Sequence, residues 1–571
     1  MWSIENRLRT TILILFTALY LFAVLSHAVA AKTGIDCVPA DALGYVQIND
    51  VYRHVEAVHS APEWKELSQI EGSQIFLSEV NKMIPVVQMI TGMTWQEFVK
   101  TFGSQITLVV MGISDEPDLA LVFDVGESGA LAQDAFDQLL MLMAADGNFN
   151  PVPEAEEYAG VTVQTIEAEG DNVVRYGLLD GFFVLAMNAS FEPVVDTYKG
   201  SRPPVTSTPE HMEMLGKVPP SGTAYAYLNL NQLIPALREA EAKKTGTPPK
   251  PPEDEMEAAI LASPKAMAVN LDLLGDTHEA YMRIAPQGPA MLFSELLLSE
   301  HPRLASVNFL PAVNGLFIGL QIGQPLEAWK QISAVAALMG LDLDAVVGEL
   351  EARHGFYLED DVLDALTGEF GIGLSLPETP VNLKERPLDL AKFQPFITIG
   401  VNDREKFSRL PGIISPFVQM DEFASSAEKG EAIQRGIVTV DGLVPGVALA
   451  LWHTYADNLF IAGTSRKQVE VIAAQSISPS SPTLAGNGVP PWVLGYLNLG
   501  QVAEFFVRQN LDDNLDLPEH AAAKLTSIGA VQVAYGAEPE GVKLTLKTAP
   551  QRPWLSDILH VLTVIAYTQQ P

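Results

Sequence analysis

The chain has 571 residues, of which 48% are hydrophobic and 18% are charged, so it can bury large cores and is not a disordered chain. Its 70 acidic and 35 basic residues give a net charge of −35, which excludes nucleic acid as a partner because phosphate binding depends on Lys and Arg contacts. The single cysteine, Cys37, excludes an intramolecular disulfide and a CxxC redox or zinc site.

The first thirty residues have the three parts of a secretory signal. Arg7 and Arg9 form a positive end, Ile12–Leu25 is almost unbroken apolar sequence, and the small residues 28–30 offer a cleavage site. We therefore expect export to the periplasm or the extracellular space. The apolar run approaches the roughly 20 residues that span a bilayer, so an uncleaved membrane anchor formed by residues 11–30 stays open.

The sequence after the signal predicts strands and helices in an α+β order. A strand at 44–48 precedes helical sequence, and apolar residues at 130–144 have helical spacing. Asp180-Gly181 predicts a tight hairpin turn, because both residues readily adopt positive φ. Hairpins without regular crossover helices favour a mainly antiparallel sheet with packed helices.

The second half of the chain repeats the first at a distance of about 270 residues, which is the length of a domain rather than of a solenoid unit. The segment YLNLNQ at 227–232 follows Val-Pro-Pro, and YLNLGQ at 496–501 does so too. Other landmarks, such as the turns at Asp180 and Asp457, correspond in the same order. The predicted organisation is a signal segment, two tandem homologous halves and a C-terminal amphipathic helix: 1–30, 31–300, 301–551 and 552–571.

The C-terminal helix is predicted from apolar residues at helical spacing. Docking on the body of the protein is the favoured interpretation, and a helix lying at a membrane surface is the alternative. The alternative is weakened because the polar side has no Lys or Arg. The residues expected to share one face are Leu555, Ile558, Leu559, Leu562, Ile565 and Ala566.

Near its start, the mature chain has Val38-Pro39-Ala40-Asp41 and a Tyr45-Val46 strand, and a later helix leads into a Gly-led strand at 102–108. In these features it resembles a family of exported bacterial proteins catalogued as a domain of unknown function. The resemblance would span most of the mature chain. The resemblance implies an envelope-associated protein of unassigned role, and it transfers no catalytic residue.

The motifs that usually carry catalysis or metal binding are absent from the sequence. His54 and His59 are five residues apart, which does not place them on one helical face as the zincin spacing does. The acidic cluster 359–364 lacks the pattern of a calcium-binding loop. No G-x-S-x-G nucleophile elbow and no phosphate-binding P-loop occurs. We therefore predict no catalytic residue, no metal ligand and no cofactor.

The repeated YLN segments supply the candidate ligand-binding residues. Residues two apart in a strand face the same side, so Tyr and Asn are expected to project together while Leu228 and Leu230 face a core. A Gln at the start of the following helix would lie beside them. The six candidates are Tyr227, Asn229, Gln232, Tyr496, Asn498 and Gln501.

Duplication without catalytic motifs predicts a non-catalytic envelope protein that acts in binding or scaffolding. Its partner would be an envelope protein or an apolar ligand. One alternative is a carrier or sensor of lipid-like molecules, suggested by the apolar segments 76–93 and 139–143. A second alternative is a hydrolase with an unfamiliar carboxylate site.

Overall fold

The described part of the chain excludes the predicted signal segment and anchor, as well as most of the apolar segment 76–93. Of the segment 139–143 the structure describes the backbone. The computed structural model describes residues 32–73, 84–85, 87–89, 91–113, 117–145, 149–152, 154–168, 172–246, 252, 255–285, 304–338, 340–377, 381, 392–409, 434–439, 448–477, 491–509, 519–538, 540–549 and 552–568.

The fold is α+β with antiparallel sheets and packed helices, which confirms the predicted fold class. The chain forms two compact units, neither of which is continuous in sequence. Described residues up to 252, together with 264–284 and 552–568, belong to the first unit. The second unit contains 255–263 and the described residues between 285 and 549.

The first unit contains a wholly antiparallel sheet. Its strands pair in the order β11–β10–β9–β1–β2–β3–β8–β7–β6, and β4 and β5 each pair with β6. The strands are β1 (Gly44–Asn49), β2 (Gln105–Gly112), β3 (Asp118–Asp124), β4 (Phe149–Pro151), β5 (Glu156–Tyr158), β6 (Val161–Ala168), β7 (Val173–Leu179), β8 (Phe182–Met187), β9 (Ala224–Leu228), β10 (Pro264–Leu271) and β11 (Thr277–Ile284).

The β7–β8 hairpin turns at the predicted dipeptide. Leu179 pairs with Phe182, and both Asp180 (φ 43°) and Gly181 (φ 92°) have the positive φ values that a tight turn requires. The sequence therefore predicted this turn correctly.

Helices cover parts of both faces of the first sheet. One apolar cluster contains Tyr45 and Phe191, and a second, on the other face, contains Phe102, Phe123 and Phe183. Thr94 and Glu97 form a capping box that starts the third helix. The helices assigned to this unit are α1 (Val51–Ser60), α2 (Pro62–Leu67), α3 (Trp95–Phe102), α4 (Gly129–Ala145), α5 (Phe191–Lys199), α6 (Pro209–Lys217) and α7 (Leu230–Thr245).

The sheet of the second unit has the same strand order as that of the first. Its strands pair as β20–β19–β18–β12–β13–β14–β17–β16–β15, again all antiparallel. The strands are β12 (Leu316–Gln321), β13 (Leu366–Ser375), β14 (Gln394–Val401), β15 (Gln434–Thr439), β16 (Ala448–Ala456), β17 (Leu459–Gly463), β18 (Pro491–Asn498), β19 (Ala530–Glu538) and β20 (Gly541–Ala549).

The larger apolar cluster of the second unit lies on one face of its sheet, and a smaller cluster around Phe407 packs against Ile399 and Phe460 on the opposite face. A 3-10 segment, Ala305–Ala312, and the helix that follows β17 pack on the face of the larger cluster. The helices of this unit are α8 (Glu255–Ala262), α9 (Pro325–Leu338), α10 (Leu343–His354), α11 (Arg404–Phe407), α12 (Arg466–Ile477), α13 (Leu499–Gln509) and α14 (Glu519–Ser527).

The last helix, α15 (Trp554–Thr568), belongs to the first unit although it ends the chain. Leu559 and Ala566 of this helix form an apolar cluster with Leu67 and Ile70. In the described part of the chain, no helix is long and apolar enough to cross a membrane.

Candidate functional site

Both faces of the central strands in the second unit are apolar. The strands read LFIGL at 316–320, FGIGL at 370–374 and FITIG at 396–400. An antiparallel sheet with one solvated face normally alternates apolar and polar residues. These strands lack that alternation, so their second face is apolar as well.

The covered face of these strands contains stacked aromatic side chains. The rings of Phe317 and Phe396 lie 5.9 Å apart at an interplanar angle of 10°, and Phe309 of the 3-10 segment contacts both. Glycines of β13 make room for these rings, since a Cβ on Gly373 would lie 2.1 Å from the Phe396 ring and one on Gly371 would lie 2.5 Å from the Phe317 ring. The large aliphatic residues of β13 therefore occupy the opposite face.

A buried carboxylate fixes the 3-10 segment over the covered face. Glu369 at the edge of β13 accepts hydrogen bonds from the backbone N–H groups of Ala305 and Ser306, both at 2.8 Å. Burial raises the pKa of Glu369, and the two backbone hydrogen bonds oppose that shift. Gln105 has the corresponding role in the first unit, where it accepts from Gly34 N–H at 2.8 Å.

The opposite face of the second sheet exposes a row of aliphatic side chains. In the strand register Ile397 pairs with Ile372, and Ile372 pairs with Ile318. The row continues through Gly495 to Val533. Ile372 is 57% exposed and Ile318 is 51% exposed, which is unusual for side chains in the middle of a sheet.

These exposed positions form one surface, which we call the apolar sheet face. Its members lie on six neighbouring strands and are all Leu, Ile or Val, so these seven side chains offer dispersion contacts and no hydrogen-bonding group. Gly495 places no side chain between Ile318 and Val533. The apolar sheet face consists of Leu316, Ile318, Ile372, Ile397, Leu497, Val533 and Leu544.

The two tyrosines of the sequence-predicted set lie in the cores. Tyr227 is 2% exposed and Tyr496 is 6% exposed, and each belongs to the apolar cluster on the covered side of its sheet. The orientation expected from the sequence is therefore reversed: Leu497 is exposed, and Leu228 is half-buried on the side opposite to Tyr227. The physical reason is that α6 packs over Tyr227, where His211 contacts its ring at 4.9 Å.

Of the polar members of the set, Asn498 is hydrogen-bonded to the side chain of Tyr496. Asn229 is the N-cap residue of α7, and Gln232 lies in its first turn. Asn498 ends β18, where its side chain accepts a hydrogen bond from Gln501 N–H at 3.1 Å. These residues shape the strand-to-helix junctions, and ligand contact by any of the six stays a prediction.

Burial neutralises the polar groups around Tyr227. His211 is fully buried and its Nε2 atom lies 2.7 Å from the Tyr45 hydroxyl. Burial lowers the pKa of His211 to about 4 and raises the pKa of Tyr227 to about 12. Both groups are therefore neutral near pH 7, as expected for a packed core.

A groove in the first unit offers little to a carboxylate-based hydrolase. The groove has a volume of about 1380 Å³ and is lined by acids that include Glu56, Glu97, Asp124 and Glu127. Hydrogen bonds from Thr94 lower the pKa of Glu97, which is the opposite of the shift that a general acid needs. Among the residues that the structure describes, no group of three or more His, Cys, Asp or Glu side chains is placed to hold a metal ion.

The described fold and site define an α+β protein with antiparallel sheets and an exposed apolar sheet face. The chain belongs to the family described as a protein of unknown function, DUF3352, whose model matches residues 103–393, just over half of its length. This match agrees with the resemblance inferred from the sequence.

Comparisons with other proteins add little to the family assignment. No curated protein matches the sequence. Crystal form III of TP0453 is 10% identical over 48% of this chain and 89% of that chain, with a TM-score of 0.24. Crystal form IV of TP0453 is 11% identical over 47% and 86%, also with a TM-score of 0.24.

The sequence contained a signal for the apolar sheet face. Continuous apolar strands in an antiparallel sheet indicate that both faces are apolar, as in LFIGL and FGIGL. The YLN segments instead predicted ligand contacts at Tyr, Asn and Gln side chains. Periodicity could not indicate which face the helices cover, because those helices come from distant parts of the chain.

Proposed function

We propose that this chain is a non-catalytic exported protein that binds lipid-like, apolar molecules on the apolar sheet face. The observation that carries the proposal is the run of exposed aliphatic side chains across six strands, with Ile372 and Ile318 more than half exposed. Exposed apolar surfaces of this kind mark binding sites in soluble proteins. Burying them under a hydrocarbon chain would remove apolar area from water, which is favourable by about 25 cal/mol per Å².

The composition of the face favours an aliphatic chain over a protein partner. Protein interfaces are enriched in Tyr, Trp and Arg and form about one hydrogen bond per 100–200 Å². The exposed members of the apolar sheet face are all aliphatic. A saturated chain needs no hydrogen bonds, and Gly495 places no side chain in its way between Ile318 and Val533.

The proposal includes export and the absence of catalysis. The signal-like first thirty residues support delivery outside the cytoplasm, either as a free protein or anchored by residues 11–30. Leu, Ile and Val side chains supply no nucleophile, acid or base, so the site is suited to holding a ligand.

We also infer that the two units descend from a duplicated ancestor. Their strand orders are the same, and equivalent backbone hydrogen bonds recur, from Asn229 N–H to Leu43 O and from Asn498 N–H to Gly315 O. In the first unit, the positions that correspond to the row of the apolar sheet face are also apolar. They include Val46, Leu108 and Leu121, which pair across β1, β2 and β3.

Binding of a fluorescent long-chain fatty acid by the full chain tests the proposed site. Ile372→Asp places a charge in the centre of the face, so we expect its affinity for the probe to fall at least tenfold. Val346→Asp is the matched control, since Val346 is 56% exposed on α10 of the same unit and lies outside the face. Equal binding by the two variants, or no binding by the wild-type chain, would overturn the proposal.

A further inference from the structure

The C-terminal helix α15 is seated with its ionisable side chains inward, and the side chains that it exposes are apolar. Asp557 is 6% exposed and pairs with Arg552, and His560 is 8% exposed with its Nε2 atom 3.6 Å from Glu63 Oε1. A surface helix of a water-soluble protein normally has the opposite arrangement. The outward side of α15 is therefore suited to an apolar environment.

The inward side of α15 is firmly attached to the first unit. Trp554 N–H donates to Gly275 O at 3.0 Å, and Leu555 N–H donates to Leu273 O at 2.9 Å, so the helix starts on the β10–β11 turn. The Trp554 ring also stacks on His278 at 4.7 Å. These contacts, with the apolar cluster around Leu559, fix which residues face outward.

The outward side carries a ridge of β-branched aliphatic residues. Of the helix residues 554–566, whose side chains the structure describes, the exposed ones are Ile558 (39%), Val561 (43%) and Ile565 (43%). Their spacing of three and four residues places them on one line, about 10 Å long. We call these three residues the outer ridge.

We infer that the outer ridge inserts into the surface of a lipid bilayer with neutral headgroups. A stable protein interface buries about 800 Å² on each partner, far more than three half-exposed side chains can supply. Insertion of a helix face to a depth of about 5–10 Å needs no partner of matching shape. The outer ridge belongs to the first unit and the apolar sheet face to the second, so this inference does not rest on the proposed ligand site.

The charges of the chain determine the lipid preference. The described outward residues of α15 carry no positive charge, and the whole chain has a net charge of −35. Anionic headgroups would therefore repel the protein, and hydrophobic insertion would have to supply the attraction. We expect binding to vesicles of phosphatidylcholine and weaker binding when an anionic lipid is added.

A single fluorophore on the outer ridge tests this inference. Val561→Cys is labelled with nitrobenzoxadiazole and mixed with phosphatidylcholine vesicles. The native Cys37 stays unlabelled in the folded chain because it is fully buried, and burial raises the pKa of its thiol to about 12. Met212→Cys is the matched control, since Met212 is 54% exposed on helix α6 of the same unit.

The expected result is a blue-shifted, brighter emission for Val561→Cys and no change for Met212→Cys. Adding Ile558→Ser and Ile565→Ser should weaken vesicle binding at least tenfold while circular dichroism stays unchanged. No shift at position 561, or equal shifts at both positions, would overturn the inference. A shift without vesicles that grows with protein concentration would also overturn it, because it would indicate contact between copies of the chain.

The same labelled protein separates this inference from the proposed function. Val561→Cys combined with Ile372→Asp should keep its response to vesicles while its fatty-acid affinity falls. Loss of the vesicle response in that variant would show that the apolar sheet face, and not the outer ridge, contacts the bilayer.

Discussion

Tyr227 shows that the alternation of residues along a strand predicts opposite orientations but not which side of the sheet is covered. Alternation correctly predicts that Tyr227 and Leu228 point to opposite sides of β9. It cannot tell which side is covered, since that depends on α6 and on His211, which sits 2.7 Å from the Tyr45 hydroxyl. The Tyr45 hydroxyl is tolerated in the core because His211 is within hydrogen-bonding distance of it.

The neutral state of His211 predicts a pH dependence of stability. Burial lowers the pKa of this side chain from 6.5 to about 4, so the unfolded chain binds a proton that the folded chain does not bind between these values. Stability should therefore fall as pH drops from about 6.5 towards 4, and no further loss from this group is expected below that.

His211→Gln tests this effect, because Gln can still accept a hydrogen bond from Tyr45 and does not titrate. Between about pH 7.5 and pH 4.5, we expect the wild-type chain to lose about 2 kcal/mol more unfolding free energy than the variant. Urea unfolding monitored by circular dichroism at both pH values gives the difference. Identical pH dependences in the two chains would show that His211 is not held neutral.

At the scale of single elements, β13 illustrates how small residues determine where large ones go. Gly371 and Gly373 lie under the rings of Phe317 and Phe396, and Ile372 between them points to the apolar sheet face. The strand itself is predictable from its apolar run. The need for glycine is not, because it arises from rings on neighbouring strands.

A methyl group at Gly373 should disturb this packing. The Cβ of Gly373→Ala would lie 2.1 Å from the Phe396 ring, which is already held by Phe309 and Phe317. We expect a loss of about 1–3 kcal/mol in unfolding free energy, the usual cost of overpacking a core.

Gly348→Ala is the control for Gly373→Ala. Gly348 lies within α10, and a Cβ there would meet no atom within 4 Å. Alanine should stabilise this helix by up to about 1 kcal/mol relative to glycine. Urea unfolding of both variants measures the two changes in unfolding free energy. No loss of unfolding free energy in Gly373→Ala would contradict the packing described for β13.

For helix α15, the periodicity of apolar residues predicts the helix but not which of those residues are buried. The apolar spacing indicates a helix, and the structure has one at Trp554–Thr568. The apolar spacing in the sequence does not distinguish Leu559, which packs inward, from Ile558 and Ile565, which face outward. The apolar arc is wider than the contact with the first unit, so part of it stays exposed.

At the scale of the whole molecule, the similar sequence segments on which the proposed duplication rests lie at similar places in the two units. Landmarks such as Asp180 and Asp457 occupy equivalent hairpin turns, and each has a positive φ. The order of the strands follows the same scheme in both units. The membership of α8 and α15 could not be predicted, because each helix belongs to a unit other than the one its sequence position suggests.

The candidate site was the least predictable feature of the molecule. No motif marks it, since Leu316, Ile318 and Ile372 have the composition of an ordinary core. They stay exposed because the 3-10 segment and α12 cover the other face of the sheet, while the cluster around Phe407 covers their own face only beside Ile399 and Phe460. The apolar runs of these strands indicate that both faces are apolar, and the three-dimensional structure shows which of the two faces stays exposed.

Native mass spectrometry of the chain purified from its own cell envelope tests the central claim most directly. If the apolar sheet face binds lipid-like molecules, the intact protein should retain an added mass that organic extraction releases as an acyl-containing compound. The Ile372→Asp variant, purified in the same way, should carry much less of it. A wild-type chain with no bound mass, or with the same bound lipid as Ile372→Asp, would contradict the account.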